Sequence, residues 1–225
     1  MAITGDARGA VLLDLDGTLV DTNYHHGIAW YRAFRAHGIV LPLWRIHRHV
    51  GMGGDLLVPA LVGDSCEAEK GDELRQAHGE EYDRLVGEVS PLEGAHELLA
   101  TLHERGHEIV LASSSQGTYL DRYLDLLDAH DLIDAATTAD DVERSKPAPD
   151  LIQVAKGKAS MNAVAMVGDS PWDIEAAQRA GLPCVALLTG GYSERELLDA
   201  GAEIVFASLV ELRERLSETS LDRPT

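Results

Sequence analysis

A chain of 225 residues is long enough for one α/β domain carrying a small insertion, and its 45% hydrophobic and 25% charged residues exclude collagen-like, low-complexity and bulk-disordered classes. With 19 Lys and Arg against 38 Asp and Glu, the formal net charge of −19 argues against nucleic-acid backbones and anionic membranes as partners. A small anion remains compatible with it, because one metal ion and one lysine can reverse the field inside a pocket. Cys66 and Cys184 are too few for a disulfide framework or a thiolate metal site, and no stretch reads as a signal peptide or membrane span, so a cytoplasmic location is expected.

Apolar residues fill Ala10–Leu15 without strict alternation, as a strand buried on both faces of a parallel sheet requires. Residues 21–90 then break the pattern. Tyr24–His37 and Glu67–Glu88 read as helices around a Pro- and Gly-punctuated middle, Leu41–Gly54, and no strand is expected there. Trp30, Tyr31 and Phe34 recur at helical spacing and are assigned to the core of this insertion. From Leu92 the chain resumes an alternating rhythm. A helix at Leu92–Arg105 precedes a strand at Glu108–Ala112, with helices at Thr118–Leu127 and Pro149–Lys158 after it. A strand at Ala163–Val167, a helix at Pro171–Ala180, a strand at Cys184–Leu188, a helix at Glu194–Ala200 and a strand at Ile204–Phe206 complete the series. This repetition predicts an α/β fold: a doubly wound parallel sheet, a Rossmann-like core of residues 1–20 and 91–225, with a small inserted all-helical cap at 21–90. Ser217–Thr225 reads as a loose polar tail.

The predicted strand ends and the loops beside them carry the chemistry. Asp14 and Asp16 close the first strand, where a period of two aims them to one side. Two carboxylates so near each other stay ionised only beside a cation or with a shared proton, although an acidic turn alone could also contain them. Gly17 lets the backbone break away, and Thr18 adds a hydroxyl. Ser113, Ser114 and Ser115 follow the second strand and suit a phosphate, while serines also cap helices. Lys146 stands before Pro147 and Pro149, which restrict its backbone. Asp169 ends a further strand and Asp173 lies one helical turn on, so both can aim at one point; the plainer alternative is a helix cap with Pro171 near its start. Phosphoryl transfer needs a cation, a lysine and fixed donors for charge spread over three oxygens, and a carboxylate nucleophile divides hydrolysis into two easier steps. An all-oxygen donor set suits Mg²⁺.

In this order and spacing, Asp14-Leu15-Asp16-Gly17-Thr18, the serine of Val110-Leu111-Ala112-Ser113-Ser114, the lysine of Ser145-Lys146-Pro147 and Gly168-Asp169-Ser170-Pro171-Trp172-Asp173 resemble the four motifs of the haloacid dehalogenase-like hydrolase superfamily. The insertion resembles that family's small helical cap. The resemblance implies that Asp14 is the nucleophile forming an aspartyl-phosphate, and that Asp16 is the acid for the leaving oxygen and then the base for water. It implies that Thr18, Ser113 and Ser114 hold phosphoryl oxygens and that Lys146 stabilises both Asp14 and the transferring group. Mg²⁺ is expected on Asp14, Asp169 and the Asp16 carbonyl, with Asp173 behind the metal or paired with Lys146.

Asp16 favours phosphoryl transfer over dehalogenation, since halide leaves without a proton. Lys70, the lysine of the insertion, is not where phosphonate-cleaving relatives hold a Schiff-base lysine. Asp21–Trp30 resembles the phosphoglycolate phosphatase and beta-phosphoglucomutase subgroup, with Thr22 and His26 at its proton-transfer positions. Mutases, however, carry arginine where Gly54 stands and tend to carry Glu at Gly168. The expected reaction is therefore Mg²⁺-dependent hydrolysis of a small phosphomonoester metabolite. A sugar-phosphate mutase and a non-catalytic phosphometabolite sensor are the alternatives. His26, Arg45, Arg48, Gly51 and Gly53 are the candidates for reading the leaving group, the glycines in a loop expected to be mobile. A zinc site of His25, His26, His47 and His49 is weighed against ordinary surface imidazoles, which are preferred because adjacent histidines face apart on a helix.

Overall fold

The computed structural model describes residues 9–115 and 117–222. Six parallel strands form one sheet: β1 (Ala10–Leu13), β2 (Glu108–Ala112), β3 (Ala135–Thr137), β4 (Ala163–Gly168), β5 (Cys184–Leu187) and β6 (Ile204–Phe206), in the order β3-β2-β1-β4-β5-β6. This is the doubly wound order in which strand sequence reverses beside β1, and ligands bind outside the carboxyl ends of the strands at that crevice. Leu13 pairs with Leu111 of β2 and with Val167 of β4, so the chain leaving β1 and the chain leaving β4 emerge side by side.

Alternation along the strands supplies two apolar faces. Val11, Leu13, Ile109, Leu111, Val167 and Val185 pack against α5 (Ala95–Glu104), α6 (Leu120–Leu127) and α10 (Leu209–Glu214) through Leu98, Leu102, Leu124 and Leu212. Leu12, Val110, Met166, Cys184 and Ala186 pack on the other face against α7 (Asp150–Lys158), α8 (Pro171–Arg179) and α9 (Glu194–Ala200) through Ile152, Ile174 and Leu197. Each fully buried Leu or Ile contributes on the order of 2 kcal/mol of apolar transfer energy, and coverage of both faces explains why these strands lack polar alternation.

Between β1 and α5 the chain forms α1 (Asn23–Ala36), α2 (Leu43–His47), α3 (Gly54–Val62) and α4 (Asp64–Asp83). These helices enclose their own core of Trp30, Phe34, Leu41, Ile46, Leu57, Val58, Leu61 and Leu74. The two segments joining them to the sheet run together: Asp21 N donates to Ser90 O at 3.0 Å, and Leu92 N donates to Leu19 O at 2.9 Å. Above that crossing the Tyr82 hydroxyl of α4 meets the Tyr123 hydroxyl of α6. No helix among the described residues is long and apolar enough to cross a membrane.

The expected strands and helices are present with end shifts of a few residues, and several features differ, among them the short helix α2 within the stretch expected as a Pro- and Gly-punctuated middle. The strand β3 and the helix α10 were not anticipated. Helix α3 runs through Pro59, a residue that reads as a breaker. The supposed loose tail is packed: Thr219, Ser220 and Leu221 are buried, Ser220 Oγ donates to Glu203 at 2.6 Å, and Arg105 reaches Asp222 at 2.8 Å. Leu216 and Leu221 join the larger core cluster, which is why the chain is held there; residues 223–225 lie outside the described residues.

Candidate active site

Asp14, the first residue after β1, is 2% exposed, and Lys146 Nζ stands 2.8 Å from its Oδ1 as an ion pair. The same ammonium donates to Asp173 Oδ1 at 2.7 Å. Burial alone would lower the Lys146 pKa, but Asp14 and Asp173 hold it above its ordinary value, so the group remains a cation. Asp173 serves twice. Its Oδ2 accepts from the N–H of Ser170 at 3.1 Å and from the Ser170 hydroxyl at 2.6 Å, capping α8 behind Pro171, while Oδ1 holds the lysine. The capping and functional readings of this carboxylate therefore describe two oxygens of one side chain.

Asp169, the first residue after β4, has both oxygens fixed. Thr18 Oγ1 donates to Oδ1 at 2.8 Å and Asn23 Nδ2 donates to Oδ2 at 2.8 Å. Thr18 is fully buried with its hydroxyl on Asp169, so it orients that carboxylate. Gly17 adopts φ +76°, and a Cβ there would stand 2.0 Å from Asn23 Nδ2 and 2.4 Å from Asp169 Oδ2. Only glycine can occupy this position without displacing the carboxylate.

Oxygens of Asp14, Asp169 and Asp173 lie within 4.8 Å of one another, all buried. Burial and the neighbouring carboxylates push the Asp14 pKa well above the ordinary carboxylate range; burial and Asp173 push Asp169 up to about 7. Such a buried, all-oxygen, mutually repelling set fits a divalent cation of the Mg²⁺ type.

The Asp16 side chain stays outside this cluster and points into a separate cradle. It accepts from Thr22 Oγ1 at 2.8 Å, from Ser113 Oγ at 3.2 Å and from the Ser115 hydroxyl, and His26 Nε2 lies 3.2 Å from it. Burial favours its neutral form, yet His26, Ser115 and Thr22 together hold the carboxyl below its ordinary pKa. Ser113 is thus committed to Asp16. The buried Ser114 hydroxyl has no partner and lines the cleft, which leaves it for an incoming oxygen.

That cleft, about 270 Å³, lies between Asp14 and Asp16 below and the inserted helices above. Its upper wall departs from expectation. Arg45 donates to Leu61 O at 3.3 Å, and Arg48 pairs with Glu196 and lies over the Tyr192 ring, 4.1 Å from its centroid; neither lines the cleft. The side chains that do are Arg75 and His78, three residues apart on one face of α4, with Trp30 of α1 and Tyr119. Trp30 stacks on His78 at 4.2 Å, and His78 Nε2 lies 3.2 Å from His26 Nδ1. The zinc alternative is not assembled. His26 joins Asp16 and His78, His47 stacks on Tyr24, and His49 lies against Trp172.

At Gly54, where an arginine would mark a mutase, a Cβ would lie 3.0 Å from Arg75 Cγ and 3.1 Å from Trp30 Cζ2, so this place is already filled from α4. At Gly168 a Cβ would meet Asp173 Cβ at 2.4 Å, which leaves no room for Glu. Gly53 approaches the sheet closely: its N–H donates to Ser145 Oγ at 3.0 Å, and the Ser145 hydroxyl and N–H turn to Asp55. These glycines permit contact with the residue preceding Lys146, where the sequence suggested mobility. Asn23, Arg75, His78 and Tyr119 were missed. Asn23 carried a signal, since it adjoins Thr22; the others lie on helical or loop stretches with no motif.

The sequence profile of haloacid dehalogenase-like hydrolases matches residues 11–187. Validoxylamine A 7'-phosphate phosphatase of Streptomyces hygroscopicus subsp. limoneus is 30% identical, over 90% of this chain and 94% of its own. The crystal structure of a hydrolase from Pseudomonas syringae superposes with a TM-score of 0.87 at 36% identity, covering 93% of this chain and 98% of that one. A beta-phosphoglucomutase from Clostridium difficile shares the fold, with a TM-score of 0.79 at 21% identity over 95% and 97% of the two chains. The carboxylates and lysine gathered at the sheet's switch point, together with these matches, establish that the chain belongs to the haloacid dehalogenase-like hydrolase family.

Proposed function

We propose that the chain hydrolyses a small phosphomonoester, with Asp14 as nucleophile and Mg²⁺ as cofactor. The observation that carries this reading is the pairing of two differently treated carboxylates at one strand end: Asp14 in a cation-demanding cluster with Lys146 and Asp169, and Asp16 in a hydrogen-bonded cradle outside it. Asp14 attacks phosphorus and forms an acyl phosphate while the ester oxygen departs with a proton from Asp16. Water then attacks the acyl phosphate, giving up a proton to Asp16 and releasing inorganic phosphate. Because its cradle favours the ionised form, Asp16 suits the second step directly; His26, in contact with it, is the route by which it is protonated for the first. Lys146 and the unpartnered Ser114 hydroxyl face the charge spread over the phosphoryl oxygens. A bound divalent cation supplies further positive charge there, held by Asp14 and Asp169.

The test is phosphate release from p-nitrophenyl phosphate with Mg²⁺. The Asp14→Asn protein is expected to keep its fold and lose about a thousandfold or more in turnover. Activity above a few per cent of the parent sinks the nucleophile assignment. Isomerisation of a sugar phosphate faster than phosphate release would instead support the mutase reading.

A further inference from the structure

The wall opposite Asp14 has an unusual charge balance. Among the described residues Arg75 is the one Lys or Arg lining the cleft, and it is already committed. Its Nη1 donates to Glu67 Oε1 at 2.8 Å and to Gly54 O at 3.3 Å, and its Nη2 donates to Asp72 Oδ1 at 2.7 Å. Two carboxylates therefore offset one guanidinium. Burial holds His78 as a neutral imidazole, and His26 is engaged by Asp16 and His78. Lys146 lies fully buried behind the wall's opposite side, between Asp14 and Asp173. Asp55, Asp140 and Glu143 also line the cleft; Asp55 accepts from Ser145 and Asp140 from the Gly117 N–H, and none of the three is in an ion pair with a described residue.

A second anionic group on the substrate would thus meet three carboxylates and a cation that must first leave two partners. The same wall offers what an uncharged polyol needs. Carboxylate oxygens of Asp140 and Glu143 can accept from hydroxyls, and the half-buried Tyr119 ring gives aromatic surface to ring C–H groups. We infer that the cleft selects phosphomonoesters whose leaving group is a hydroxyl-rich ring without negative charge of its own, an amine on that ring being favoured over a carboxylate. This rests on the phosphomonoesterase reading above and specifies its substrate class.

Three hexose derivatives test it: glucosamine 6-phosphate and glucose 6-phosphate, whose ring leaving groups are cationic and neutral, and 6-phosphogluconate, whose leaving group is an open-chain anionic polyol, the Glu143 variant below separating charge from shape. With Mg²⁺ and the wild-type chain, kcat/KM is expected to fall in that order, with about a tenfold or larger gap before 6-phosphogluconate that shrinks at high salt. Glu143→Lys should narrow the gap by roughly threefold through 6-phosphogluconate alone. A rank in which 6-phosphogluconate equals or exceeds the other two overturns the inference. If no phosphate is released from any of them or from p-nitrophenyl phosphate, the hydrolase reading falls, and calorimetric binding of the three sugars by the Asp14→Asn protein in Mg²⁺ decides the charge selectivity. The same ranking there supports it; a flat or reversed ranking, or binding of none, overturns it.

Discussion

The two walls of the cleft are built by opposite means. Below, Asp14 and Asp169 follow directly from adjacent central strands, are 2% exposed, and are locked by Lys146, Thr18 and Asn23. Above, Arg75, His78 and Asp55 reach the cleft from helix flanks, are partly exposed, and are held by separate partners: Arg75 by Glu67 and Asp72, His78 by His26, and Asp55 by Ser145. The half facing the phosphoryl group is fixed by the backbone register of the sheet, whereas the half facing the leaving group is set by which way a few long side chains turn. A family can keep the first and vary the second without disturbing its core.

The contrast breaks most sharply if each wall's cation is removed. Lys146→Met leaves three buried carboxylates without their counter-charge and should destabilise the metal-free protein by about 3–5 kcal/mol, with turnover lost as well. Arg75→Ala, at a half-buried pair screened by solvent, should cost about 1 kcal/mol or less and act chiefly on KM. Chemical denaturation of both variants measures the difference, and comparable stability losses would mean that the upper wall is as rigidly built as the lower.

A smaller effect sharpens the electrostatics of the lower wall. Asp169, pushed up to about 7 against an ordinary value of 3.8, and Asp14, raised in the same direction, hold more protons when folded than when unfolded. The cluster's penalty is therefore absent at pH below the unfolded values and grows as pH rises through the folded ones. A divalent cation replaces those protons. Added Mg²⁺ should raise Tm by several degrees at pH 8 and by clearly less at pH 5. Equal shifts at both values would contradict the account. The smallest expected effect is at Arg45 and Arg48, which turn away from the cleft: Ala at either position should leave KM within about twofold. A larger rise would show that α2 contributes to the upper wall in solution.

What could be read from the sequence follows the same division. Asp14, Asp16, Lys146, Asp169 and Asp173 were legible because the strand or turn carrying each fixes where its side chain emerges. Strand β3 was not, since Ala-Ala-Thr at a sheet edge has too little apolar surface to register as a strand. Helix α3 was hidden by Pro59. Arg75 and His78 were hidden for another reason: α4 buries only Gly71, Leu74 and Tyr82, so no strong apolar stripe declares which of its faces looks toward the cleft. Arg45 and Arg48 misled for the mirror-image reason, their charge being visible and their direction not.

The position of β1 in the middle of the sheet bears on how the chain reaches its folded form. Its neighbours are distant in sequence: Ala10 pairs with Glu108 and with Ala163, so one of the most apolar strands is synthesised long before either edge it will occupy exists. The inserted helices, which pack α1 on α4 within one continuous stretch, can consolidate while the ribosome is still making β4. Such non-local pairing slows folding, since loop closure must precede the contacts that compensate for it. Asp14 and Asp169 become neighbours only when β1 docks beside β4. The carboxylate cluster therefore cannot exist before β1 has docked beside β4, however early the inserted helices form.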